Sequence, residues 1–226
     1  MIKSQIIMAF EYCCFVSYSH NEGTLPVRFI RDLFDSLSSE IGALTRDIGT
    51  CCVDWDRLRG GDFYNKRLSK ALCRSVCMIM VYTPTYFDKR HTYCAREFKA
   101  METIESARLR LLGDLSDDHG LIIPIIYRGY GYLNPYIKDR EHYDFSGYIP
   151  GKDGENALLT HSTYAPQIKG IAEYVYDRYS RLNELWDTSE CRDFELPSEN
   201  DSQSWLDRVC VTDARRPFPG RRGDQT

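Results

Sequence analysis

Short apolar runs alternate along the chain with longer segments whose apolar residues recur every three or four positions. The runs suit strands covered on both faces, and the longer spacing suits helices that cover them. "YCCFVSYS", Tyr12 to Ser19, reads as the first strand. In the following "LPVRFIRDLFDSLSSEIGAL", residues Val27, Ile30, Leu33, Phe34, Leu37 and Ile41 fall on one helical face. "TCCVDW" reads as a second strand and "RLRGGD" as a turn. From Asp62, a residue suited to cap, a short helix carries Phe63, Leu68, Ala71 and Leu72 into the strand "VCMIMVYT", which Pro84 ends. The helix of "HTYCAREFKAM" follows, and then "GLIIPIIYRG" as a fourth strand, in which Pro124 points to an edge or an irregularity. "HYDFSGY" is a short fifth strand. "YAPQIKGIAEYVYDRYSRLNEL" is the last helix, with Ile168, Ile171, Tyr174, Val175 and Tyr179 inward.

Strands alternating with helices predict βαβ units around a parallel sheet. The expected class is therefore α/β, a flavodoxin-like three-layer domain with a five-stranded parallel sheet, over residues 10–185. Residues 186–226 form a C-terminal extension, expected to be partly disordered, because periodicity fades past Trp186 and the chain ends in "DARRPFPGRRGDQT". Within it, only "SQSWLDRVCV" has the pattern of a docking element.

Composition narrows the function classes. A net charge of −4 and a pI near 5.8 argue against nucleic acid or an anionic membrane as the main partner. No apolar run approaches the ~20 residues of a membrane span. "MIKSQIIMAF" is followed by Glu11 and no cleavage site, so no signal peptide is expected and the chain is placed in the cytoplasm. The nine cysteines show no zinc spacing; the expectation is reduced, structural thiols and no metal.

One residue breaks the pattern. Tyr93, Glu97, Ala100, Met101 and Ile104 share a helical face, and an acid in an apolar stripe is costly unless paired or functional. Either Glu97 complements the positive end of its helix or pairs with Arg57, Arg59 or Arg96, or it serves a site. In a flavodoxin-like sheet, ligands lie beyond the carboxyl ends of the strands. There "SYSHNE", "WDRLRGGD" and "TPTYFDKRHTYCARE" converge.

These segments carry a resemblance. "CCFVSYSH" is similar to the first-strand box of Toll/interleukin-1 receptor (TIR) domains. "VDWDRLRGGDFYNKRLSKALCRSVCMIMVYTPTYF" resembles their next stretch, with Asp54, Leu58, Gly61 and the run Thr83, Pro84, Tyr86 in the family's order. "YCARE" is like the family's Trp-Cys-x-x-Glu motif, with Tyr93 where many members have Trp. The resemblance covers about residues 10–185 and is strongest toward bacterial NAD-cleaving, Thoeris-like members. It implies the TIR fold, NAD+ as substrate with no further cofactor, and Glu97 as the catalytic residue. Ser17, Tyr18, Ser19 and His20 would line the nucleotide, with Asp54 and Trp55 beside them, Arg57 at the pyrophosphate and Tyr93 as an aromatic wall. Trp55 reads equally as a loop anchor, Arg57 as a solvated charge and Ser17 as satisfying the strand end, and His20 reads first as a surface histidine.

The implied chemistry needs one carboxylate. Glycoside cleavage ordinarily takes two, one to protonate the leaving oxygen. Nicotinamide departs from NAD+ as a neutral ring and needs no acid. The resemblance further implies TIR–TIR self-association and, in antiphage systems, a nucleotide messenger read by a separate effector protein. The rival reading is a non-catalytic TIR interaction module. A cysteine hydrolase built on Cys94 and His91 has no third orienting residue, and "GYIPGKDGEN" lacks phosphate-loop spacing.

Overall fold

A computed structural model of the chain describes residues 9–20, 24–49, 51–53, 64–90, 92–113, 120–151 and 157–209. Asp54, Trp55, Arg57, Leu58, Arg59, Gly61, Asp62, Phe63 and His91 lie outside the described residues, as does 210–226.

The elements run β1 (Tyr12–Tyr18), α1 (Thr24–Leu44), β2 (Cys52–Val53), α2 (Tyr64–Cys73), β3 (Ser75–Tyr82) and α3 (Tyr93–Leu112). Then come β4 (Ile122–Ile126), α4 (Pro135–Lys138), β5 (Tyr143–Asp144), α5 (Ala157–Thr160), α6 (Ala165–Leu182) and α7 (Glu199–Val209). All strand pairs are parallel, in the order β2-β1-β3-β4-β5. The class is α/β with a parallel sheet, compatible with a flavodoxin-like fold. The expectation of a five-stranded parallel sheet is met in part, since β2 and β5 contribute two residues each.

β3 and β4 are buried along their whole length, which is why they read as unbroken apolar runs. Pro124 sits opposite Met80 of β3, and pairing of β4 with β5 begins only at Ile125. The proline therefore falls where β4 has a strand partner on one side only, a position that tolerates a missing N–H. On α1 the buried stripe is Phe29, Ile30, Leu33, Leu37 and Ile41, with Val27 and Phe34 half-buried. Burying each such side chain stabilises by about 1.5–3 kcal/mol, against tenths for helix propensity, so packing holds α1. α1 packs on α5 and α6, and α3 packs on α2 and α7 as well as on the sheet.

α3 is enclosed on nearly every side, and this accounts for two charges in its interior face. Glu105 accepts backbone N–H bonds from Leu121 and Ile122 and a two-point contact from Arg140. Arg108, fully buried, donates to the carbonyls of Ser75, Val76 and Cys73 at 2.6–3.0 Å. Its guanidinium lies between the rings of Phe10 and Trp186, at 4.7 and 4.6 Å. Burial pushes its pKa down to about 9, which still leaves it charged at neutral pH. Arg178, also buried, lies over the Tyr174 ring. Its Nε and Nη1 have no hydrogen-bond partner among the described residues. Arg108→Lys is expected to cost about 2–3 kcal/mol in urea unfolding, because an ammonium cannot reproduce the planar fork and leaves a carbonyl unpaired. A loss below about 0.5 kcal/mol would show that the fork is not what ties α2, β3 and Trp186 together.

The described part of the extension, residues 186–209, packs onto the domain. Cys191, Leu196, Trp205, Leu206 and Val209 join the same core cluster as the sheet. Cys73 at the end of α2 forms a disulfide with Cys191, 118 positions away. This corrects the expectation that all cysteines are reduced: the pair meets only because the extension folds back on α2. Cys13, Cys14, Cys51, Cys77 and Cys94 are buried and form no disulfide. No helix among the described residues is long and apolar enough to cross a membrane.

Candidate active site

The strand order reverses between β1 and β3, so the carboxyl ends of these two strands form the switch point of the sheet. β1 delivers Ser17, Tyr18 and Ser19 to that end, the turn after β3 delivers Thr83 to Phe87, and the start of α3 delivers Tyr93 to Glu97.

Three buried side chains join there. The Ser17 hydroxyl donates to Oε2 of Glu97. The Tyr86 hydroxyl lies 2.5 Å from the same Ser17 Oγ. Ser17 has one proton; while it is given to Glu97, the bond from Tyr86 must run toward Ser17. The chain is thus Tyr86 O–H to Ser17 O–H to carboxylate. Burial, with the Cys94 thiol and the Glu97 carboxylate nearby, pushes the Tyr86 hydroxyl well above the ordinary phenol range, although its bond to Ser17 opposes this. Tyr86 therefore keeps the proton that it must donate. Glu97 itself is 4 % exposed, Tyr86 0 % and Ser17 1 %, so the chain operates where charge interactions are stronger than in water.

Neighbouring groups fix the frame. Ser19, buried, accepts from Thr85 at 3.2 Å, which ties the end of β1 to the turn after β3. Cys94 donates its thiol to the Tyr18 carbonyl at 3.4 Å. That engagement and its burial make Cys94 a packing residue and count against the cysteine-hydrolase alternative.

The residues expected at a site divide accordingly. Ser17 and Glu97 are in direct contact, and Ser19 is tied to Thr85 of the turn after β3. Tyr18, next in the strand, points to the opposite face from Ser17 by strand alternation. Its ring lies tilted against that of the exposed His20, with centroids 4.3 Å apart. Tyr93 shares a helical face with Glu97 but stands at the exposed start of α3, 42 % accessible, with its ring edge-on to Tyr64 of α2. It is a rim residue, in contrast to the enclosed carboxylate. Tyr86 as a donor to the chain was not legible beforehand, although "TPTY" marks the turn that carries it.

Other clusters have simpler accounts. A cavity of about 670 Å³ between α3, β4 and α4 contains Glu102 and Glu105, but both carboxylates contact Arg140. A cavity of about 990 Å³ between α2 and the extension mixes Lys66, Lys70, Arg74, Arg96 and Arg192 with Asp187, Asp193 and Glu195. Neither includes Glu97. The thiols of Cys13, Cys14 and Cys51 lie within 4.8 Å of one another. They could hold a soft metal only in three-coordinate form, since the group contains no His or carboxylate among the described residues. Burial first of all holds Cys14 well above the ordinary thiol range, which favours the neutral, packing form.

The Glu97 arrangement can accept hydrogen bonds from a polyhydroxylated ligand and can stabilise positive charge that develops beside it. Neither a model of a known protein family nor a curated protein sequence matches the chain.

Proposed function

We propose that this chain is a TIR domain that cleaves NAD+ at the bond between nicotinamide and ribose, with Glu97 as the catalytic residue. The observation that carries the reading is the Tyr86–Ser17–Glu97 chain at the switch point between β1 and β3. A carboxylate placed there, in the "YCARE" stretch that resembles the family's motif, is an acceptor for ribose hydroxyls and a counter-charge for the oxocarbenium-like transition state. Nicotinamide leaves with the bonding electron pair as a neutral ring. Water then supplies the oxygen of ADP-ribose and releases one proton, whereas attack by another atom of the same nucleotide closes a cyclic isomer. In this reading the product is a messenger in bacterial antiphage signalling, passed to a separate effector, and the chain works in the cytoplasm.

The test is incubation of the purified chain with NAD+, with chromatographic separation and mass analysis of the products. Free nicotinamide is expected, and the companion product distinguishes hydrolase from cyclase. Assembly through TIR–TIR contacts predicts specific activity that rises with protein concentration; a flat profile down to dilute protein would remove self-association from the proposal.

The burial of Glu97 favours a second reading, in which the carboxylate is a satisfied structural group and the domain is a non-catalytic interaction module. No nicotinamide from concentrated or crowded protein would select it.

A further inference from the structure

Two members of the Glu97 chain, Tyr86 and Glu97, have a sequence neighbour held by the extension. Trp205 of α7, 5 % exposed, stacks on Phe98 at 5.7 Å and meets Phe87 edge-on at 5.3 Å. Phe98 follows Glu97, and Phe87 follows Tyr86. Phe87 and Phe98 also meet each other edge-on at 5.4 Å. The three rings therefore join the turn after β3 to the second turn of α3. Around them, Arg96 donates its Nε to the Pro197 carbonyl at 2.8 Å, and Lys89 pairs with Asp207 at 2.7 Å. At its near end the same segment is fixed to α2 by the Cys73–Cys191 disulfide.

We propose that Trp205 is a positioning residue for Glu97: the extension clamps the turn of Tyr86 against the helix of Glu97, holding the two at the separation that Ser17 bridges. The inference rests on the reading of Glu97 as the catalytic carboxylate. Its physical basis is that hydroxyl relays tolerate little displacement. A shift of about 1 Å in a reacting group can cost on the order of a hundredfold in rate, even when the altered residue never touches substrate. β1 meets the turn and α3 through polar contacts, Ser17 with Tyr86 and Glu97, Ser19 with Thr85 and the Tyr18 carbonyl with Cys94; a direct apolar constraint between the turn and the helix is separate from these. The aromatic trio supplies that constraint.

The test uses the full chain in four forms: wild type, Trp205→Ala, Trp205→Phe and the control Leu37→Ala, a buried truncation on α1 remote from α7. Trp205→Ala is expected to lower kcat for nicotinamide release about ten- to a hundredfold with KM changed less than about threefold. Trp205→Phe should recover most of the rate, since a ring still reaches Phe87 and Phe98. Leu37→Ala should destabilise the fold without that kcat loss. A kcat loss in Trp205→Ala no larger than in Leu37→Ala, or a change confined to KM, overturns the proposal. If Trp205→Ala does not fold, Trp205→Leu, which keeps apolar volume but no ring, takes its place under the same criteria. If wild type releases no nicotinamide, the proposed activity has failed, and hydrogen exchange decides the positioning role. Faster exchange at 83–90 and 93–101 in Trp205→Ala, with β1 unchanged, supports the clamp, and unchanged exchange there overturns it.

Discussion

Glu97→Gln is expected to lower kcat for nicotinamide release by about two to three orders of magnitude while leaving the fold within about 1 kcal/mol of wild type. The substitution keeps the shape of the side chain and an oxygen that accepts from Ser17, so packing against β1 survives. It removes the negative charge, and in a buried site that charge is the only part of the side chain that stabilises a developing cation. Glu97→Ala should lose as much activity but also some stability, because the Ser17 hydroxyl would face a cavity. Ser17→Ala should lose less, about tenfold, since the charge remains and only its orientation suffers. Steady-state assays of released nicotinamide, with thermal melts of each variant, check the ordering. If Glu97→Gln retains wild-type kcat, the charge does no chemical work and the catalytic assignment is lost.

The anomaly that exposed Glu97 was legible because periodicity makes an acid on an apolar stripe visible, and the neighbouring "CCFVSYSH" and "TPTY" boxes lie at the ends of β1 and β3 that converge on it. The inward face of α1, the buried runs of β3 and β4 and the inward residues of α6 were readable for the same reason. Each has one neighbour to satisfy. α3 was harder. Sheet on one side and α7 on the other bury Arg96, Phe98, Glu105 and Arg108 together with Glu97, so no single stripe describes the helix. Periodicity placed Tyr93 with Glu97 correctly as to angle, but it carries no information on depth along the axis, and the first turn of α3 is where the helix emerges into solvent. The Tyr86 donor and the Trp205 contact depend on distances between segments far apart in sequence. A tryptophan in a polar, non-periodic tail looks the same whether it is docked or free.

The Cys73–Cys191 link is the contact with the least trace in local sequence and carries the largest expected effect on stability. Replacing both cysteines with Ser is expected to lower the free energy of unfolding by about 3–5 kcal/mol, since closing a loop of roughly a hundred residues removes that much conformational freedom from the unfolded chain. The two positions are 118 apart and both are buried, so the variant also places two hydroxyls in a site built for sulfur. Against a total of about 5–15 kcal/mol for an ordinary domain, the loss should move the urea midpoint to a third or more below that of wild type. The transition should stay single, because Cys191, Leu196 and Trp205 belong to one apolar cluster with β3 and α6 and cannot leave it piecemeal at low cost. Urea unfolding of wild type with and without dithiothreitol, beside the double variant, measures the effect. Peptide mapping without reduction should yield the Cys73–Cys191 pair. The reduced wild type should resemble the double variant, apart from the serine penalty. Equal stability in all three, with no linked peptide, would mean that the thiols pack without bonding and that the extension is held by noncovalent contacts such as Trp186 on Arg108 and Trp205 on Phe98.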